Sequence, residues 1–155
     1  GFNLRPTDIS AAIGANQFKN LKNFIKIRKK NRNKIITALK KSKKWDNQYS
    51  FLKVNKNVNP SFFGFPIIIS KKYKNLKQNF LKYLDKKGVE SRPIISGNFL
   101  NQPASKLYNF KQKPNDFPSA QIVEDRGFFI GLHTKLINNF KIKFLVDKLL
   151  SISKK

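Results

Sequence analysis

Cysteine is absent from the 155 residues, and so is methionine. Without thiols there is no disulfide framework, no thiolate metal site and no cysteine nucleophile. Carboxylates are scarce, eight Asp and Glu against 33 Lys and Arg, and there is one histidine. His133 has no ligand set near it in sequence, so it reads as a loop or core histidine and no metal site is expected. No nucleophile-elbow pattern and no phosphate-binding glycine loop occurs. No run approaches the roughly 18 consecutive apolar residues of a membrane span, and the opening lacks the charged-then-apolar layout of a signal peptide. The expectations are therefore no membrane partner, a cytoplasmic location and no self-contained active site.

What the chain has in excess is positive charge, a formal +25. Such a field attracts phosphates and other polyanions. Only Arg5, Arg28, Arg32, Arg92 and Arg126 are arginines; the remaining cations are lysines, spread along the chain among many Asn, Ile and Phe. Two-point readers of bases and phosphates use Arg. The charge therefore reads as a compositional bias, and nucleic acid is not expected as a partner. The alternative is a basic nucleic-acid-binding module whose contact face is the Lys-rich segment Leu21 to Ser42, with steeply salt-sensitive binding.

Hydrophobic content of 39% with 13% aromatics suits a domain with a real core. Thr7 as N-cap with Asp8 in the first turn starts a helix that runs to about Asn20. Small and apolar residues on two of its faces suit an element buried between others. A second helix runs from Leu21 past Leu39, its apolar stripe interrupted by Arg28 to Lys34, a cluster expected to face water. Phe51 to Val54 and Phe62 to Ser70 read as strands, the latter at an edge or bulged because of Pro66. Tyr73, Leu76, Phe80, Tyr83 and Leu84 recur at helical spacing up to Gly88, and Val89 to Ile95 returns as a strand. That order predicts a parallel pair with a right-handed crossover. Pro118 opens a short helix ended by Gly127, Phe128 to Leu132 is a brief strand, and Ile137 to Ile152 closes as an amphipathic helix.

The opening Gly1-Phe2-Asn3-Leu4-Arg5-Pro6-Thr7-Asp8, continuing to Gln17-Phe18, resembles the GYN-x-R-M-T-D signature of the DegT/DnrJ/EryC1/StrS family. Further matches follow in order: Phe63-Gly64-Phe65-Pro66, Gly88-Val89-Glu90-Ser91-Arg92-Pro93-Ile94, Gly97-Asn98 to Gln102-Pro103, and Gly127 to His133. The resemblance implies a pyridoxal-phosphate (or pyridoxamine-phosphate) enzyme acting on a nucleotide-linked keto sugar for surface polysaccharide or lipopolysaccharide synthesis, working as a homodimer. It implies an α/β (α+β) fold: connecting helices over 1–44, and over 45–155 the small C-terminal domain of an aspartate-aminotransferase-like enzyme, a small mixed sheet packed with helices. In that family the signature sits mid-chain and the Lys or His that works with the cofactor lies upstream. This chain, which begins without Met, is thus expected to be a back portion, inactive alone, whose opening helix favours aggregation when uncovered.

The same resemblance assigns Asn3 to the cofactor phosphate of a neighbouring subunit and Arg5 to the mouth of the site. Phe2 stands where Tyr is usual, so any hydroxyl contact there is lost. Arg92 resembles the Arg that a strand end delivers toward the nucleotide sugar, with Glu90 and Asn98 as further substrate-binding candidates. Alternatives stand beside each: Asn3 as a turn residue, Arg92 paired with Glu90 or Asp85, Phe63 and Phe65 as core packing. The Phe-Gly-Phe-Pro and Ser-Arg-Pro-Ile segments look more like sugar 3-dehydratases than transaminases, and both reactions remain open.

Overall fold

The computed structural model describes residues 7–154, so Asn3 and Arg5 lie outside the described residues. Its sheet has three strands in chain order, β1 (Tyr49–Phe51), β2 (Gly64–Ile69) and β3 (Gly127–Gly131). Both pairings are antiparallel, Phe51 opposite Ile67 and Phe65 opposite Ile130. Along β2 burial alternates, with Phe65, Ile67 and Ile69 on the fully buried face. That is the two-residue period of a pleated strand with one face on a core.

Helices close over that face: α2 (Leu21–Lys41) brings Ile35 and Leu39, α3 (Lys77–Lys86) brings Phe80 and Leu84, and α5 (Asn139–Leu150) brings Ile142, Val146, Leu149 and Leu150. The two remaining helices, α1 (Asp8–Phe18) and α4 (Pro118–Arg126), contribute no buried residue. The Tyr49 hydroxyl donates to the Leu149 carbonyl at 2.6 Å, joining the sheet to the end of α5. Burial pushes that phenol far above its ordinary range, so it remains a donor.

Three expectations need correction. The sheet is antiparallel rather than mixed, because Val89 to Ile95 forms no strand beside β2. Gly88 turns at φ 75°, and the chain then touches the outer edge of β3 through a single antiparallel bridge, Arg92 to Phe129. Second, β2 is the central strand despite Pro66. Phe129 exchanges both backbone hydrogen bonds with Arg92, so its polar groups face away from Pro66, and β1 ends opposite Ile67. The missing N–H of Pro66 therefore costs no ladder bond.

Third, the Arg28 to Lys34 cluster does not face water as a block. Asn31 is fully buried and Arg32 nearly so. The Arg32 guanidinium donates to the Leu52 carbonyl at 2.6 Å and lies 4.6 Å from the centroid of the Phe62 ring. Its burial lowers the pKa from the ordinary value. The other described elements leave α1 uncovered, as the sequence leads one to expect of this portion. Thr7 caps it through Ser10 N–H as expected, yet Ile9, Ile13 and Phe18 are each more than 60% exposed.

Two carboxylates tie the surface together. Lys72 and the Tyr73 hydroxyl both donate to Asp46 at 2.7 Å, and Lys74 donates to Asp125 at 2.6 Å. Those hydrogen bonds hold both carboxyls below their usual range. A carboxyl depressed on folding stabilises above its unfolded pKa, and that contribution disappears as pH falls through the folded value. The urea midpoint is therefore expected to fall on moving from pH 6 to pH 3. Replacing Asp46 and Asp125 together by Asn should lower the midpoint at pH 6 and reduce its acid dependence; an unaltered acid profile would refute the assignment.

Candidate functional site

A cleft of about 370 Å³ opens where α2 passes the outer edge of β3, lined by Arg28, Phe63, Glu90, Arg92, Phe129, Gly131, Leu132 and His133. Four segments meet there for separate local reasons. The Arg92 to Phe129 bridge pins the stretch with Glu90 and Arg92 to β3. Phe63 immediately precedes β2, and its carbonyl accepts from Leu132 N–H at 3.3 Å. Gly131 ends β3 with open space where a Cβ would stand, which keeps that wall low. Arg28 comes from α2.

The continuation of β3 into the 133–137 loop is held by Asn31, one helical turn after Arg28. Its amide donates to the carbonyls of His133 (3.0 Å) and Lys135 (2.9 Å), and its oxygen accepts from Ile137 N–H (3.0 Å). All its geometry points to one task, fixing the 133–137 loop against α2. Within that loop His133 Nδ1 accepts from Lys135 N–H at 2.9 Å. The neutral imidazole so engaged carries its proton on Nε2.

Arg92 donates from Nε to Glu90 Oε1 at 2.9 Å, its Nη2 stands 2.7 Å from the same oxygen as an ion pair, and both side chains are well exposed. An exposed pair of this kind adds little stability. Its consequence is local: Arg92 keeps Nη1 free, and the carboxylate offsets one positive charge. Arg28 has no carboxylate partner and no hydrogen bond among the described residues; its guanidinium carbon lies 6.0 Å from the Phe63 ring centroid. The cleft thus combines two guanidiniums, one carboxylate, an imidazole donor and two aromatic rings. This set suits an anionic, hydroxyl-bearing ligand.

Of the substrate candidates from the sequence, Glu90 and Arg92 come together here. Asn98 lies elsewhere, 2% exposed. Its amide donates to Pro114 O (3.0 Å) and Gln121 Oε1 (3.2 Å), and its oxygen accepts from Leu100 N–H (3.3 Å), so the side chain holds the 98–114 loop to α4. Phe65 is core and Phe63 lines the cleft. Sequence reasoning missed Arg28, Asn31 and His133; the only signals were an Arg on the apolar stripe of a helix and a His closing the Gly127 to His133 motif. Among the described residues no group of three or more His, Asp or Glu could hold a metal ion, and no helix is long and apolar enough to cross a membrane. No lysine is among the residues that line this cleft.

Residues 1–149 match the DegT/DnrJ/EryC1/StrS aminotransferase family. Over 135 residues the chain is 33% identical to GDP-4-keto-6-deoxy-D-mannose 3-dehydratase of Escherichia coli O55:H7, covering 86% of this chain and 33% of that protein. The solved structure of the E. coli enzyme with bound hydrated PLP superposes with a TM-score of 0.82 at 30% identity, over 96% of this chain and 36% of that one. A structure of GDP-4-keto-6-deoxymannose-3-dehydratase with bound GDP-perosamine gives the same TM-score and identity over 96% and 37%. The chain spans about a third of the length of the relatives it matches. With the ordered motifs, the fold and the matched span in agreement, the chain belongs to the DegT/DnrJ/EryC1/StrS aminotransferase family.

Proposed function

We propose that this chain is the substrate-facing back portion of a pyridoxal- or pyridoxamine-phosphate-dependent enzyme that removes the 3-hydroxyl of a nucleotide-linked 4-keto-6-deoxy sugar. The observation that carries the reading is the Arg92 and Glu90 cleft, in a chain that is 33% identical over 135 residues to a 3-dehydratase. Transamination of such a sugar is the second reading within the family. The cofactor, when bound in the whole protein, supplies the electron sink. The residues of this chain bind and orient: Arg92 Nη1 donates to a ligand oxygen, Glu90 accepts from sugar hydroxyls, and Phe63 and Phe129 exclude water from one wall.

In this reading the reactive Lys or His, and hence activity, belongs to the longer polypeptide. Asn3 and Arg5 complete the site from the opening segment, Asn3 at the cofactor phosphate and Arg5 at the mouth. Residues 1–44 serve as connecting helices ahead of the 45–155 domain, and the exposed apolar face of α1 is covered by the rest of the polypeptide or by a second subunit of a homodimer. Asn98 acts by shaping the loop beside the site, with any substrate contact made through that loop. The location is cytoplasmic. The lysines are a solvated surface, which favours the enzyme over a nucleic-acid module.

The test uses the longer polypeptide with pyridoxal phosphate, glutamate and GDP-4-keto-6-deoxymannose. The expected product is the 3-deoxy sugar, and Arg92→Ala should raise KM about tenfold or more, the scale of a lost charge-assisted contact. A 4-amino sugar as sole product would replace dehydration by transamination, and steep salt-sensitive oligonucleotide binding with no sugar turnover would favour the nucleic-acid module.

A further inference from the structure

We propose that Arg28 and His133 form an anion subsite in the Arg92 cleft that takes the diphosphate of the nucleotide-linked substrate. The inference rests on the substrate class proposed above and assigns the residues that hold its charged part. Arg28 is a guanidinium without a protein acceptor among the described residues, set against the Phe63 ring and lining the cleft. A cation on a wall with no carboxylate of its own is matched by an anionic ligand, and guanidinium geometry suits two phosphate oxygens at once.

His133 adds a neutral donor. Its Nδ1 is engaged by Lys135 N–H, so Nε2–H is the ring donor available. Asn31 fixes the backbone of His133 to α2 three residues beyond Arg28, so one helix sets the positions of both groups. Glu90 engages Arg92 on the same cleft. The resulting division of labour gives the diphosphate to Arg28 and His133, and hydroxyl groups to Glu90 and Arg92. The shared chemistry is a phosphate ester, which nucleotide and cofactor both carry, and the experiment separates them.

Isothermal titration of the longer polypeptide with GDP, inorganic pyrophosphate and pyridoxal phosphate is the test, with circular dichroism confirming that each variant is folded. GDP and pyrophosphate are expected to bind. Arg28→Gln should weaken both about tenfold, Arg28→Lys should fall between, and Glu90→Gln should tighten both by removing the competing carboxylate. Lys26→Gln on α2 makes the same change in net charge outside the cleft and should shift affinity less than twofold.

Equal weakening by Arg28→Gln and Lys26→Gln would mean that the general positive field binds these anions, and would overturn the subsite. Absence of GDP binding, or Arg28-dependent binding of pyridoxal phosphate alone, would overturn the diphosphate assignment. Should the longer enzyme dehydrate its sugar while Arg28→Gln leaves KM unchanged, the subsite fails and the function stands. Should GDP bind through Arg28 while no sugar is turned over, the function fails and the subsite stands.

Discussion

Asn31→Ala is expected to lower the unfolding free energy of the chain by about 3 kcal/mol, because it strips partners from three backbone groups at once. Asn31 is fully buried on α2 and satisfies the carbonyls of His133 and Lys135 and the amide of Ile137. Each group left without a partner in a buried setting costs more than the net worth of an ordinary hydrogen bond. Asn31→Asp is the sharper variant. It keeps the acceptor for Ile137 but sets an oxygen against two carbonyls, so its cost should match or exceed that of alanine at neutral pH. Urea titration followed by circular dichroism measures both, and a cost below about 1 kcal/mol for both variants would show that the 133–137 loop is held by other means. The loop carries His133, so an intact fold with a loosened loop should also show weakened anion binding.

The second large effect is at Phe80, for which replacement by Ala should cost about 4 kcal/mol. Phe80 is fully buried on α3, 6.3 Å from Phe128 in an edge-on arrangement, 6.4 Å from Tyr83 and 6.5 Å from Tyr49. It thus connects α3 to both outer strands of the sheet. Truncation removes its apolar burial and leaves a cavity walled by rings that cannot collapse without moving strands. Phe80→Leu refills much of the volume and should cost about half as much. Comparable costs for Leu and Ala would indicate that the ring contacts, rather than cavity volume, dominate.

Much of the fold was legible in the sequence because its signals are local. Thr7 ahead of Asp8, Pro118 at a helix start and the helical spacing of Tyr73 to Leu84 each act within a few residues, and the helices stand close to where those patterns put them. The last of these opens with a 3₁₀ stretch, Lys71–Leu76, before α3 begins. Strand partners were not legible. The choice between a parallel crossover and an antiparallel sheet depends on which edge of β3 the chain reaches after Gly88, a contact between residues 37 positions apart in the case of Arg92 and Phe129.

The candidate site shows the same division. Glu90 and Arg92 were found because a short motif surrounds them. In the sequence Arg28 and Asn31 belong to a basic cluster with the pattern of a solvated face, since composition cannot distinguish a lysine in water from an asparagine whose amide meets a loop more than 100 residues away. His133 carries no ligand signal in the sequence because no second ligand lies near it in the chain.

By itself the sequence determined the helices, the family and the excess of cations, since helix capping, residue periodicity and motif order are properties of short stretches. Tertiary structure alone decided that Pro66 could sit in a central strand, that Arg32 would be buried, and that Arg28, Arg92 and His133 would line one cleft. Those outcomes follow from backbone hydrogen bonds and burial across distant segments, which exist only once the sheet and α2 have come together.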